Sequence, residues 1–120
     1  SVNAGGDLRI FGHTEEDIYL RAPDNPEHLV FAGRLHDGAC ATSATYYSRH
    51  IQNGTEVSPL VDPRSRQPLV TRNSYSVIAP RCVVADALTK VLALSGNPDL
   101  PCFKQYQAHP FIVEPSRILP

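Results

Sequence analysis

Cys82-Val-Val-Ala-Asp-Ala-Leu-Thr-Lys-Val-Leu-Ala-Leu-Ser95 is the stretch of this 120-residue chain that fixes its fold class, because its apolar residues recur at helical spacing over several turns. Val84, Leu88 and Val91 share one row, Ala87 and Leu94 lie one row over, and Gly96 is a natural C-terminal stop. Pro80 precedes the segment and Pro98 follows it. The spacing predicts one helix over about 82–95.

The surrounding segments read as strands and turns. Leu8-Arg9-Ile10-Phe11, Ile18-Tyr19-Leu20-Arg21 and Leu29-Val30-Phe31-Ala32 are short aliphatic and aromatic runs between Gly, Pro, Asp and Asn clusters, the pattern of an antiparallel meander. Gly38-Ala39-Cys40-Ala41-Thr42-Ser43 is a run of small residues, as in a strand that packs tightly or faces a site. From Asn53 to Arg72 the chain is polar and proline-punctuated, mostly loop, with Asp62-Pro63-Arg64-Ser65 readable as a type I turn capped by its aspartate. Tyr75 to Ala79 alternates like a strand, and Pro110 to Glu114 reads as a closing one. The class expected is α+β, an antiparallel sheet with one main helix packed on it.

Composition bounds the function. A mass of 13.2 kDa fits one domain or a large piece of one, and a net charge of -1 gives no electrostatic argument for nucleic acid or an anionic membrane. The chain lacks methionine, so Ser1 reads as a processed or introduced end. No apolar run is long enough to span a bilayer and no secretory pattern is present, so any such segment is expected upstream. Cys40, Cys82 and Cys102 form neither a C-x-x-C pair nor an even set, and read as simple thiols. His13, His28, His36, His50 and His109 have no ligand spacing. Ser43 lacks a histidine and acid pattern, so a hydrolase triad is not expected.

Asn3-Ala-Gly-Gly-Asp7 alone reads as a Gly-Gly turn between strands, with Asp7 bonding nearby amides. Together with Ala41-Thr-Ser43, Asp62-Pro-Arg-Ser65, Ser76-Val-Ile-Ala79 and Ala85-Asp-Ala-Leu88, in that order, it resembles the C-terminal half of the ApbE family, the Mg-dependent FAD:protein FMN transferases. The resemblance runs over roughly residues 2–113, and makes residues 1–120 a single domain or the C-terminal portion of an ApbE-like domain. It implies FAD contacts at Asn3, Gly5, Gly6, Asp7, Thr42, Ser43, Asp62, Arg64 and Ser65, with Arg64 or Arg66 on the pyrophosphate. It further implies Mg²⁺ ligands at Asp86 and Thr89, but no identifiable catalytic residue.

The partners implied are a target flavoprotein or a missing N-terminal half. Absence of that half would leave an apolar face exposed and favour homo-oligomers. By the same resemblance the setting is periplasmic, or membrane-anchored through a missing segment.

The chain also departs from the family pattern. Ser43-Ala44 stands for Ser-Gly, and Pro59 to Arg66 stands for His-Ile-Ile-Asp-Pro-Arg-Thr-Gly, without the histidine. The family helix motif is Ala-Asp-Ala-Leu-Ala-Thr, whose aspartate and threonine help hold the metal. Here Thr89 comes one position early and Lys90 takes the place of the ligand hydroxyl. Asp86 and Lys90 at i,i+4 are then a helix ion pair, or a fixed positive charge in place of Mg²⁺ beside a flavin pyrophosphate, or part of a metal site retained through Asp86 and Thr89. The function implied is a portion of a flavin transferase that moves FMN from FAD to a protein threonine and is inactive as the isolated chain. The alternative is a non-catalytic flavin- or nucleotide-binding or structural domain that associates with a partner chain.

Overall fold

Ile18, Leu20 and Ala22 are buried while Asp17, Tyr19 and Arg21 between them are exposed, the period-two signature of a strand with one covered face. The structure, a computed structural model, describes residues 1–4, 7–44, 50–52, 55–57, 60–69 and 71–115. Its elements are β1 (Val2–Ala4), β2 (Asp7–Ala22), β3 (Asn25–Ala44), β4 (His50–Gln52), β5 (Thr55–Val57), β6 (Ser74–Ala79), α1 (Cys82–Ser95), α2 (Pro101–Gln105) and β7 (His109–Val113). Five strands form one antiparallel sheet in the order β1-β2-β3-β6-β7, and β4 pairs with β5 separately. Helix α1 packs on β3 and β6, so the expected α+β class holds.

The three short strands expected near the N-terminus are instead parts of two long ones. β2 and β3 pair from Leu8–Cys40 to Ala22–Asn25 in a single hairpin, with Pro23 and Asp24 at its tip. Residues read as breakers are absorbed as bulges. Ile10 pairs with Gly38 and Glu15 with His36, so residues 11–14 face Asp37 alone. Gly12 (φ 93°) and Asp37 (φ 47°) take the left-handed conformations this requires. Arg9 pins the bulge, with its guanidinium donating to Asp37 Oδ1 at 2.8 Å, to the Gly38 carbonyl at 2.9 Å and to the Ile10 carbonyl.

Helix α1 has the bounds read from the sequence. Gly96, at φ 63°, ends it by donating its N–H to the Leu92 carbonyl at 2.8 Å. The buried row differs from the one expected, being Ala85, Leu88, Thr89, Leu92 and Ala93, while Val91 is 38% exposed and Ala87 is exposed. Contact with the small residues Ala39 and Ala41 of β3 favours small residues on the helix side, so Ala85 and Ala93 turn inward and the valines flank them. Tyr75, Val77 and Ala79 of β6 complete this layer, and Phe103 of α2, a helix the sequence reading did not anticipate, closes it with Ala108. The other face of the sheet carries a second cluster with Ile10, Ile18, Leu20, Leu35, Cys40 and Val113. The closing strand starts one residue before the expected Pro110. All three cysteines are free.

The helix orientation has a direct check. Leu92→Ala should cost about 2–5 kcal/mol in urea unfolding, the range for truncating a fully buried leucine, and Val91→Ala less than about 1 kcal/mol. Equal costs would mean that the helix presents its other row to the sheet.

Candidate functional site

Side chains alternate along β3, so Ser43 points to the α1 layer with Ala39 and Ala41, and Thr42 to the opposite face with Cys40. On the helix side, Ser43 meets the turn of α1 from Asp86 to Lys90. Thr89, fully buried, donates its hydroxyl proton to the Asp86 carbonyl oxygen at 2.7 Å. That carbonyl can only accept, so in the 2.8 Å contact between the two hydroxyls Ser43 donates to Thr89. Lys90 Nζ then donates to Ser43 Oγ at 3.0 Å and to Asp86 Oδ1 at 2.8 Å, with Thr89 Oγ1 at 3.4 Å as a third, longer contact. The ion-paired side chains are half exposed, Lys90 at 46% and Asp86 at 50%. The Ser43 proton is committed to Thr89, an arrangement that matches no hydrolase triad.

These residues do not suit Mg²⁺. That ion takes oxygen ligands in a near-octahedral array at about 2.0–2.1 Å. The oxygens available, Asp86 Oδ1, Ser43 Oγ and Thr89 Oγ1, already surround the Lys90 ammonium, which would repel a dication among them. Among the described residues no cluster of three or more His, Cys, Asp or Glu side chains forms a metal site elsewhere.

The opposite face holds a cavity of about 410 Å³ whose walls include Asn3, Leu8, Leu20, Cys40, Thr42 and Ser76. Thr42 and Ser76 share a hydroxyl hydrogen bond of 2.7 Å across the β3–β6 ladder. Ser74 also lines this cavity, and its buried hydroxyl has no hydrogen-bond partner among the described residues. Burial, followed by the Asp7 carboxylate and Cys82, pushes the Cys40 thiol up to about 11. Gly5 and Gly6 of the opening motif lie outside the described residues, whereas Asn3 pairs with Leu8 on β2, which in turn pairs with Cys40 on β3.

The segment 62–65 sits elsewhere, along the C-terminal turns of α1. Its aspartate caps as expected, Asp62 Oδ1 accepting the Arg64 N–H at 2.8 Å. The turn itself is wider than type I, since the Arg66 N–H reaches the Asp62 carbonyl at 2.8 Å and Arg66 takes φ 59°. Asp62 and Arg64 line a cleft of about 420 Å³ with Val91, Leu94 and Ser95. The structure thus joins Ser43, Asp86 and Thr89, groups Asn3 with Thr42, and keeps Asp62, Arg64 and Ser65 in a third place. The sequence reading did not single out Ser74 and Ser76 as site residues. Their signal is the alternation Ser74-Tyr75-Ser76-Val77, which gives one face of β6 a polar lining.

The ApbE family model matches residues 1–109, and the chain belongs to the ApbE family. It is 27% identical over 103 residues to the FAD:protein FMN transferase of Rhodobacter capsulatus, covering 83% of this chain and 20% of that protein. To the FAD:protein FMN transferase of Vibrio cholerae it is 29% identical over 105 residues, covering 80% of this chain and 30% of the relative. The crystal structure of the ApbE protein from Thermotoga maritima matches with a TM-score of 0.71 at 26% identity, over 92% of this chain and 38% of that one. The chain therefore spans well under half the length of these relatives.

Cys40 supplies a pH test of the cavity it lines with Thr42 and Ser76. The folded thiol keeps its proton up to about pH 11, while the unfolded one loses it near 9, so the unfolded state is favoured progressively between those values and not below them. The urea midpoint should fall from pH 9 to pH 11, and Cys40→Ala should flatten that part of the profile. At pH 8 a thiol reagent should titrate half-buried Cys82 and Cys102 well before Cys40.

Proposed function

We propose that this chain is the C-terminal portion of an ApbE-like flavin transferase domain, and that it contributes part of the surface on which FAD is held while FMN passes to a protein threonine. What supports the reading most is the convergence of three segments far apart in sequence on one end of the sheet. Asn3 neighbours Cys40 through Leu8 in the β1–β2–β3 ladder, and Lys90 reaches Ser43 from the helix. These are segments that carry the family resemblance, and the end they form is polar. Relatives that share the match are FAD:protein FMN transferases by name.

In that chemistry the acceptor hydroxyl attacks the FMN-side phosphorus of FAD. The oxygen–phosphorus bond forms, the bond to the bridging oxygen breaks, AMP leaves with the electron pair, and the hydroxyl proton is lost. In this reading Thr42 meets FAD from one face of β3, Ser43 holds the Lys90 ammonium toward a ligand oxygen on the other face, Asn3 and Asp7 lie alongside, and Asp62, Arg64 and Ser65 contact a more distant part of FAD. Asp86 and Thr89 orient Lys90 and Ser43, and no metal is assigned to them. The isolated chain binds without turning over, since it lacks the family histidine and the Ser-Gly pair and spans only part of its relatives.

Two measurements check this. Titration of FAD fluorescence with the chain should show saturable binding, and mass spectrometry of a threonine-containing acceptor peptide incubated with FAD and the chain should show no FMN adduct. An adduct would establish turnover by the isolated chain, while no binding at all would favour a structural domain that needs a partner chain.

The partner is taken to be the remainder of an ApbE-like domain or, without it, a second copy. Val2, Phe11, Tyr19, Leu29 and Phe31 are each more than 50% exposed, and Tyr19 and Phe31 pack ring against ring with centroids 5.4 Å apart, which supports this. Light scattering at tens of micromolar should give a mass above the 13.2 kDa monomer; a monodisperse monomer would count against self-association.

A further inference from the structure

We infer that Lys90 is the resident cation of the Ser43–Asp86–Thr89 site: its ammonium fills a three-oxygen cradle that would otherwise take a divalent metal ion, so the site holds its positive charge covalently and without dissolved metal. The direction of the hydroxyl protons carries the argument. Thr89 gives its proton to the Asp86 carbonyl and Ser43 gives its proton to Thr89, so neither hydroxyl has a proton left for Nζ. Both present lone pairs to it, and Asp86 Oδ1 adds a carboxylate oxygen 2.8 Å from Nζ. All three oxygens face the ammonium as acceptors, which is what a metal ion requires of its ligands.

The two cations are alternatives. Lys90 approaches from the exposed row of α1, four residues after Asp86, with its charge at the focus of the oxygens. Its weakest contact, 3.4 Å to Thr89 Oγ1, leaves one N–H loosely engaged on a half-exposed side chain. An anionic oxygen arriving from solvent can accept a hydrogen bond from that N–H, and Lys90 keeps its charge. Only the identity of this anion, a flavin pyrophosphate, rests on the proposed function; the exchange of one cation for another does not.

The test is thermal melting of the full chain in millimolar MgCl₂ or CaCl₂ against NaCl of equal ionic strength. Wild type should show no metal-specific shift. Lys90→Ala should vacate the cradle and Lys90→Thr should add a fourth oxygen, so each should gain a metal-specific rise of about 4 °C at roughly tenfold saturation. Asp86→Asn added to either variant should abolish the gain. Circular dichroism first establishes that the variants are folded, and the exposed position of Lys90 gives two independent chances of a folded protein. A metal-specific rise in the wild type would overturn the inference, as would unresponsive melting of the folded single variants. The readout needs no flavin, so failure to bind FAD would leave the cation exchange standing, and a failed exchange would leave FAD binding standing.

Discussion

The close seating of α1 on β3 is the constraint from which the site follows. Ala39 and Ala41 on the strand and Ala85 and Ala93 on the helix are all buried in one cluster, and none carries a side chain long enough to hold the two elements apart. Leu92 and Leu88 supply the bulk of the apolar burial beside them. A larger residue at any of the four alanines would lift the helix or force strained rotamers. The same approach brings Thr89, fully buried at the middle of the contact, within hydrogen-bonding distance of Ser43. A polar pair inside an apolar layer is tolerable only because its protons are all placed. Thr89 satisfies its own donor within the helix, and Ser43 satisfies its donor on Thr89.

Strand periodicity divides the remaining polar groups. Adjacent residues Thr42 and Ser43 serve opposite faces, so one strand feeds both the cation site beneath α1 and the cavity across the sheet. In that cavity Ser76 is paired with Thr42, whereas the Ser74 hydroxyl has no partner among the described residues. Apolar side chains at 74 and 76 would have sealed this face with the Ile10 cluster. Their place is taken by hydroxyls that line a cavity.

Much of the fold was readable because local chemistry and tertiary context agree. Gly96 and the flanking prolines bound α1 in the sequence as they do in space, and the small-residue run at 38–43 announced tight packing. The errors share a cause. Residue size, not hydrophobicity alone, selected the buried face of α1, and that depends on the alanines of a strand some fifty residues away. Gly12 and Gly33 looked like strand ends because a bulge and a turn make the same local demand on the backbone, and only the long β2–β3 pairing distinguishes them. α2 has five residues, too few for a period to be visible. For the site, motif order pointed to Ser43 and Asp86, but the proton direction that makes Lys90 its center needs coordinates.

The one-residue offset in the helix motif has a geometric meaning. Successive residues on an α-helix are rotated by about 100°, so positions three and four after Asp86 face different neighbours. Thr89, at the third, turns into the layer against Ser43 and can bond back to the Asp86 carbonyl. Lys90, at the fourth, stays on the exposed side directly above the Asp86 carboxylate. A hydroxyl at the fourth position would be a fourth oxygen for a bound ion; a lysine there is long enough to reach the focus of the remaining three and carries its own charge. Moving the threonine one step inward keeps a hydroxyl in the cradle, and the position it leaves supplies the cation. The two changes are chemically coupled: Lys90 without Thr89 would leave the Ser43 proton without its acceptor, and Thr89 without Lys90 would leave the Asp86 carboxylate unpaired beside two hydroxyls whose protons are already placed.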